Sequence, residues 1–447
     1  MILMLNKIEK SIFYVLIFSI PIQLGKHFWP DFAFVSGLRV DYLSPTLYFT
    51  DILILILLLL TIVKLLNYRI DKKNINKFNP IIKQFKDYYL LIISFLFLLL
   101  VSIFSRESNA AFYGLLKILE FSFLGFYIAH HLKSYDIKKI INILGLSAFL
   151  FSTLAIIQFV KQSSIGGILY FLGERTFSPS TIGIADMDIN GTLILRPYST
   201  FSHPNVLAFF LLFVNSLILF QINNVKSLVQ KVFNVFVLTI SSIALFLTFS
   251  RIVIFLYLIL LIYSFLKEIK KSKKYVLALF FIFLLLFVYL NSYYYRFFNT
   301  QLITKDLIAR GDLLNISYDI FKQHPIFGVG INNFFFYESF YQKSITPVLL
   351  QPVHNIFILV LVEAGIIGLV LFCFLLYKAY ISLLSSLNSS KKPEIKNIYG
   401  AILFIFISMI INSFFDHFFL TVQQGQLMFS LILGFCFISF SKRDYFF

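Results

Sequence analysis

The sequence predicts an all-α fold: a polytopic integral membrane bundle of about twelve transmembrane helices, with both termini on the cytoplasmic side. Three observations carry this. Of 447 residues, 59% are hydrophobic and only 13% charged, with a mean hydropathy of +0.87. The apolar residues fall in repeated runs of about 18 or more, the length a helix needs to cross a bilayer. The runs are continuous rather than alternating. That excludes a closed barrel, the only other way to satisfy backbone groups in lipid. Finally, the positive charges alternate in density from loop to loop, as they do in proteins threaded through a membrane.

Spans are expected near 11–28, 46–66, 87–105, 110–131, 137–160, 203–222, 231–249, 252–267, 275–292, 355–378, 397–415 and 423–441, within a single membrane domain over 1–447. The first is short, but no small-x-small cleavage site follows it, so it reads as a helix rather than a signal peptide. With the N-terminus inside, the cytoplasmic segments hold 25 Lys and Arg and the outer segments 12. The inside clusters are dense, as at Lys72, Lys73 and Lys77, and at Lys267, Lys270, Lys271, Lys273 and Lys274. The cytoplasmic excess fixes the orientation. The net charge of +17 is therefore mostly topological and calls for no nucleic-acid partner. Cys373 and Cys436 both lie in apolar runs, which indicates neither a disulfide framework nor a cysteine metal site. Lys117 and Glu120 lie mid-span, three positions apart, where they can pair.

Arginine and lysine divide differently. Seven of nine arginines fall outside: Arg39, Arg106, Arg175, Arg196, Arg251, Arg296 and Arg310. Only five of 29 lysines do. Guanidinium is a planar fork that grips phosphate oxygens in pairs, whereas Lys is a hydrated point charge. As a group the arginines favour an anionic, phosphorylated ligand on the outer side. The alternative is that some are interfacial anchors or partners of Asp306, Asp312 and Glu338.

Two outer loops are long, 161–202 and 293–354. Loops of that length in a bundle are usually functional or disordered. In the second, Leu313, Ile316 and Ile320 recur at helical spacing among Arg310, Asp312 and Asp319, the pattern of an amphipathic helix. It should stop at His324-Pro325. Gly328 to Gly330 then reads as a turn. Three local groups stand out: "RPYSTFSHPN" from Arg196 to Asn205, "TFSR" from Thr248 to Arg251, and "PVHNIFILVLVEAGIIGL" from Pro352 to Leu369. In the last, His354 stands at the mouth of the tenth span and could be a cap, an anchor or a catalytic group. Asn355 is the better cap, by its side-chain oxygen. On a straight helix Gly365 and Gly368 share the face of His354, leaving room for a neighbouring helix, while Glu363 points away.

His354-Asn355, nine residues and Gly365-x-x-Gly368 resemble the signature of the O-antigen ligase family. "RPYSTFSHPN", "TFSR" and "ARGDLLNISYDIFKQHPIFGVGINNF" are similar to further segments of the O-antigen ligase/polymerase superfamily, so the resemblance covers about 190–370. It implies a glycosyltransferase of the bacterial cytoplasmic membrane, independent of metal and without a cofactor. Glycan would pass from an undecaprenyl-diphosphate-linked donor to lipid A-core or another envelope glycan acceptor, with the active site facing the periplasm or exterior. Carried over by position, His354, Arg310 and Arg251 are catalytic, and Arg196, His203, Asn205, His324 and Asn355 bind substrate. The residues agree: arginines suit diphosphate, and an imidazole suits proton transfer near its ordinary pKa of about 6.5. No outer arginine has Gly eleven positions on, a spacing many polymerases carry, which favours a ligase. A polymerase remains the alternative reading. A transporter or flippase of the same lipid-linked glycan is a third, but it would need cationic residues across the interior.

Overall fold

The computed structural model describes residues 2–70, 89–132, 134–189, 192–269, 300–341 and 350–438. Its helices are α1 (Ile2–Phe18), α2 (Phe49–Ile70), α3 (Tyr89–Ile103), α4 (Ser108–His131), α5 (Ser134–Lys161), α6 (Pro204–Gln221), α7 (Leu228–Leu247), α8 (Arg251–Ile269), α9 (Thr300–Gln323), α10 (Phe334–Tyr341), α11 (Ile356–Ser389), α12 (Pro393–Ser413), α13 (Phe418–Thr421) and α14 (Gln423–Cys436). Among the described residues six helices, α4, α5, α6, α7, α11 and α12, are long and apolar enough to cross a membrane. The structure therefore supports a helical membrane protein but not a count of twelve. The span expected at 275–292 lies outside the described residues. Three others are short: α1, α3 and α14 have 17, 15 and 14 residues. At about 1.5 Å per residue they reach only about 21 to 26 Å.

The helix α6 is apolar on every face, and a helix of that kind belongs inside a bundle. Its membrane window is 89% buried, with Phe209, Phe210 and Phe213 fully enclosed. Around it pack α5, α7, α8 and α12. At one end of the bundle buried acids are matched to lysines: Lys10 to Asp136 at 3.0 Å, and Lys64 to Glu9. The expected Lys117–Glu120 pair forms at 3.1 Å, and Lys117 also meets Asp51 of α2 at 2.6 Å. A buried ammonium needs such partners to offset its desolvation.

Two expectations are corrected at the N-terminal end. The first helix occupies Ile2–Phe18 rather than 11–28. Residues 19–48 then form a third extended segment where a short loop was expected. Pro21 and Pro30 lack the N–H a helix needs. Strand β1 (Gly25–His27) instead pairs antiparallel with the strand Thr46–Tyr48. Between them runs a two-residue ribbon, Phe34–Val35 against Leu38–Arg39, and a third ribbon joins Asp186–Ile189 to Thr192–Leu195. The fold is thus helical with small β ribbons, not purely α.

Helix α9 ends at Gln323, directly before His324-Pro325. Leu313 and Ile320 are buried, and with Ile316 they pack on Val353, Leu359 and Val362 at the start of α11. Gly311 on the same helix faces open space at the Cβ position. Gly311→Ala is therefore expected to stabilise by about 0.5–1 kcal/mol, through the reduced freedom of the unfolded chain. Thermal unfolding of the purified protein checks this, and a lowered midpoint would contradict the packing.

Helix α11 is not continuous. Gly365 has φ 65° and ψ −170°, so the helix breaks there. The straight face that would join His354 to Gly365 and Gly368 therefore does not exist: Gly368 lies against Phe97 of α3, but the close neighbour of Gly365 is not a helix. It is the turn 325–330. Ile366 N–H donates to the Pro325 carbonyl at 3.0 Å, Val329 N–H to Val362 at 3.0 Å, and Gly330 N–H to Glu363 at 2.8 Å. Backbone groups freed by a break inside an apolar helix must find partners in protein, and this clasp supplies them. It also explains the turn glycines. Gly328 and Gly330 have φ 72° and 104°. A Cβ on Gly328 would lie 2.5 Å from the Glu363 backbone, and one on Gly365 would overlap the Ile326 carbonyl.

Candidate active site

The segments expected on the outer side meet at one end of the bundle. Thr200 Oγ1 donates to the Pro21 carbonyl at 2.6 Å, and Gln424 Nε2 donates to the same carbonyl at 3.2 Å. Asn355 Nδ2 reaches the Phe414 carbonyl at 3.3 Å. Here a chamber of about 2520 Å³ opens, lined at this end by Arg196, His203, Asn205, Arg310, His354, Asp416 and His417. It continues between α4, α11 and α14, where Leu371, Leu375, Phe429 and Leu433 line it.

Each polar group has a fixed mounting. His203 caps α6: its Nδ1 accepts the Asn205 N–H at 3.1 Å, and Pro204 supplies the preset first turn. Arg196 Nε donates to the Thr248 carbonyl at 2.7 Å, and its Nη2 donates to Asn205 Oδ1 at 2.7 Å. Asn205 Nδ2 in turn donates to Asp416 Oδ2 at 2.8 Å. A guanidinium, an amide and a carboxylate are thereby linked across three elements. Arg310 Nη1 donates to the Phe415 carbonyl at 3.2 Å, which ties α9 to the turn before α13.

Next to this chain stand two imidazoles. The rings of His354 and His417 lie 5.0 Å apart, tilted by 48°. Asp416 and His417 are both buried. The ring of Tyr42, from the N-terminal segment, meets His417 edge-on at 5.6 Å and stacks on Phe335 at 5.6 Å. His417 Nδ1 sits 2.6 Å from Thr421 Oγ1, whose hydroxyl donates to the His417 carbonyl at 3.1 Å. With its own proton committed, the Thr421 oxygen accepts from Nδ1–H, and the lone pair of His417 is left on Nε2. Burial, reinforced by His354 and Arg310 and opposed by Asp416, holds the His417 pKa down at about 3. Burial and the Arg196 charge do the same for His203, also to about 3. Burial pushes the Asp416 carboxyl up, but the three imidazoles and Asn205 outweigh it and leave it below its ordinary value. At neutral pH His203 and His417 are thus neutral, beside the Asp416 carboxylate and the arginine cations.

The residues singled out in the sequence divide accordingly. His354, Arg310, Arg196, His203 and Asn205 converge on the chamber. Arg251 stands exposed at the start of α8, outside the chamber lining, although Arg196 binds the same turn through Thr248. His324 is also outside the lining, edge-on to Tyr337 at 5.3 Å. Asn355 is the cap of α11: its Oδ1 accepts from Phe357 N–H at 2.9 Å and Ile358 N–H at 3.1 Å. Asn355→Ala is expected to cost about 1 kcal/mol. The midpoint of thermal unfolding should fall, and an unchanged midpoint would mean water replaces the cap. Glu363 is bound by the backbone N–H groups of Asn332 and Phe334, at the start of α10, and is no partner of His354. Sequence reading missed Asp416 and His417. Their only signal was a polar pair in the turn between the last two apolar runs.

Helices long and apolar enough to cross a membrane, around a chamber that gathers arginines, imidazoles and a carboxylate at one end, define a helical membrane protein. Residues 235–373 match the family model described as O-antigen ligase, and the match supports the superfamily that the sequence motifs resemble. It runs from within α7 into α11, beyond the clasp, and includes Arg251, Arg310 and His354. No curated protein matches the chain.

Proposed function

We propose that this chain is a membrane glycosyltransferase of the O-antigen ligase type. It moves glycan from an undecaprenyl-diphosphate-linked donor to an envelope acceptor such as lipid A-core. The observation that carries this reading is the shared chamber: His354, Arg310 and Arg196 line one end, and it continues along apolar side chains such as Leu371, Leu375, Phe429 and Leu433, which suit the lipid part of a lipid-linked donor. The reaction is a displacement. The acceptor hydroxyl oxygen forms a bond to the anomeric carbon while the bond from that carbon to the diphosphate oxygen breaks. The hydroxyl proton passes to a His354 ring nitrogen, and the electron pair leaves on the lipid diphosphate. Arg310 and Arg196 offset the developing charge, so that diphosphate departs readily. His417 and Asp416 hold the wall against which His354 is placed.

Glycan profiles of a deletion strain test the reaction. Long chains retained on the carrier with loss of surface attachment are expected. Single repeat units left on the carrier would instead identify a polymerase, the second reading within the same superfamily. Arg251 is tested separately, because it lies outside the lining. If it reaches the donor diphosphate, Arg251→Lys lowers transfer at normal expression, since one ammonium cannot reproduce the fork. Full transfer by that variant assigns the diphosphate to Arg196 and Arg310 alone.

A further inference from the structure

We infer that His354, Asp416 and His417 form a binding site for a borderline divalent cation of the Zn²⁺ type, and that its occupation takes the His354 lone pair out of service. Among the described residues these three offer ligand atoms that all lie within 4.8 Å of one another. Tetrahedral ligation at about 2.0–2.1 Å places ligand atoms about 3.4 Å apart, so side-chain rotations that close the group by about 1.4 Å or less would complete it.

The donor set selects the ion. Two imidazoles and one carboxylate suit Zn²⁺ and its neighbours, whereas Mg²⁺ and Ca²⁺ prefer oxygen throughout. The supporting groups are those that ligands of this kind need. His417 has its Nδ1–H committed to Thr421, which leaves Nε2 to bind. Asp416 is held on one oxygen by Asn205 Nδ2 and on the other by the His417 backbone N–H, both at 2.8 Å. Such second contacts orient ligands and carry part of the affinity. All three residues line the chamber, so a fourth position faces it and can take water. Arg310 and Arg196 lower the attraction for a cation, although each is tied elsewhere, to the Phe415 and Thr248 carbonyls. The site is therefore a reversible one, and the ion acts on the chain as an occupant rather than as a resident cofactor.

Binding does not depend on the glycosyl-transfer reading; only its effect on turnover does. If His354 is the base, Zn²⁺ and the acceptor proton compete for one nitrogen. The test uses full-length protein purified in detergent, stripped with chelator and titrated with Zn²⁺ by equilibrium dialysis and calorimetry. One equivalent is expected, weakened about tenfold or more in both His417→Ala and Asp416→Asn. His130→Ala, a control at the other end of the chamber, should bind as the parent does. Size-exclusion profiles and helical circular dichroism establish that each variant is folded, and Asp416→Asn keeps the shape of the site if His417→Ala does not fold. No bound equivalent, binding undiminished by both site variants, binding lost in His130→Ala, or displacement by equimolar Mg²⁺ would overturn the site. Where transfer is measurable, Zn²⁺ should inhibit the parent and inhibit His417→Ala less. Inhibition equal in both would overturn the competition at His354. Absence of transfer in the parent bears on the proposed function alone.

Discussion

His354→Ala is expected to reduce glycan transfer by about 10²–10⁴-fold, the usual contribution of a positioned acid or base. Donor binding should stay near that of the parent if, as proposed, the diphosphate is held by Arg310 and Arg196, which reach the chamber from α9 and from the segment before α6. Arg310→Ala should show the opposite pattern, with weakened binding of lipid-linked donor. The side chain of His354 is half-buried and sits outside the helix it precedes, and the α11 cap is made by Asn355. Loss of the imidazole should therefore leave the protein level unchanged. Transfer and donor binding measured on purified protein decide it. Near-normal turnover by His354→Ala would remove proton abstraction from the mechanism.

Gly365→Ala should be the most damaging single change to the fold. The glycine conformation, φ 65° and ψ −170°, is one that other residues adopt only at a cost of about 1–3 kcal/mol. To this is added the overlap of the new Cβ with the Ile326 carbonyl. Relief requires opening the clasp, which frees the Pro325, Val362 and Glu363 carbonyls within apolar surroundings. A sharply lower yield of monodisperse protein is expected, with a reduced unfolding midpoint. Because the clasp sets α9 and its Arg310 against α11, any folded remainder should also lose donor affinity. A Gly365→Ala protein with parental stability would mean that the break is not needed.

Several elements of the fold were legible in the sequence, for local reasons. The spans from Ser108 to Gln221 follow from hydropathy within a few residues, because lipid exposure imposes its cost on each segment separately. The end of α9 before Pro325 and the cap at Asn355 follow from the chemistry of one or two neighbouring residues. Hydropathy was less reliable near the ends. It placed α1 too late, because it gave weight to apolar residues beyond Pro21 and discounted Lys7, Glu9 and Lys10, of which Glu9 and Lys10 find partners in Lys64 and Asp136. It could not anticipate that residues 19–48 fold back as ribbons, since their partners are fixed by pairing between distant strands.

What the sequence by itself determined was the class of protein, the helices with a continuous apolar period, and five residues of the chamber wall. The tertiary structure decided which of the candidate residues share a space. It brought Asp416 and His417 from the turn after α12 against His354, and it seated Tyr42 on His417. It left Arg251 outside the chamber while Arg196, far from it in sequence, entered. It also turned Gly365 from part of a helix-packing face into a break, clasped by the turn that Gly328 and Gly330 form. The physical reason is the same in each case. A membrane helix is specified by its own transfer free energy, residue by residue, whereas the meeting of side chains from separate helices depends on backbone breaks and long-range packing that leave no period in the sequence.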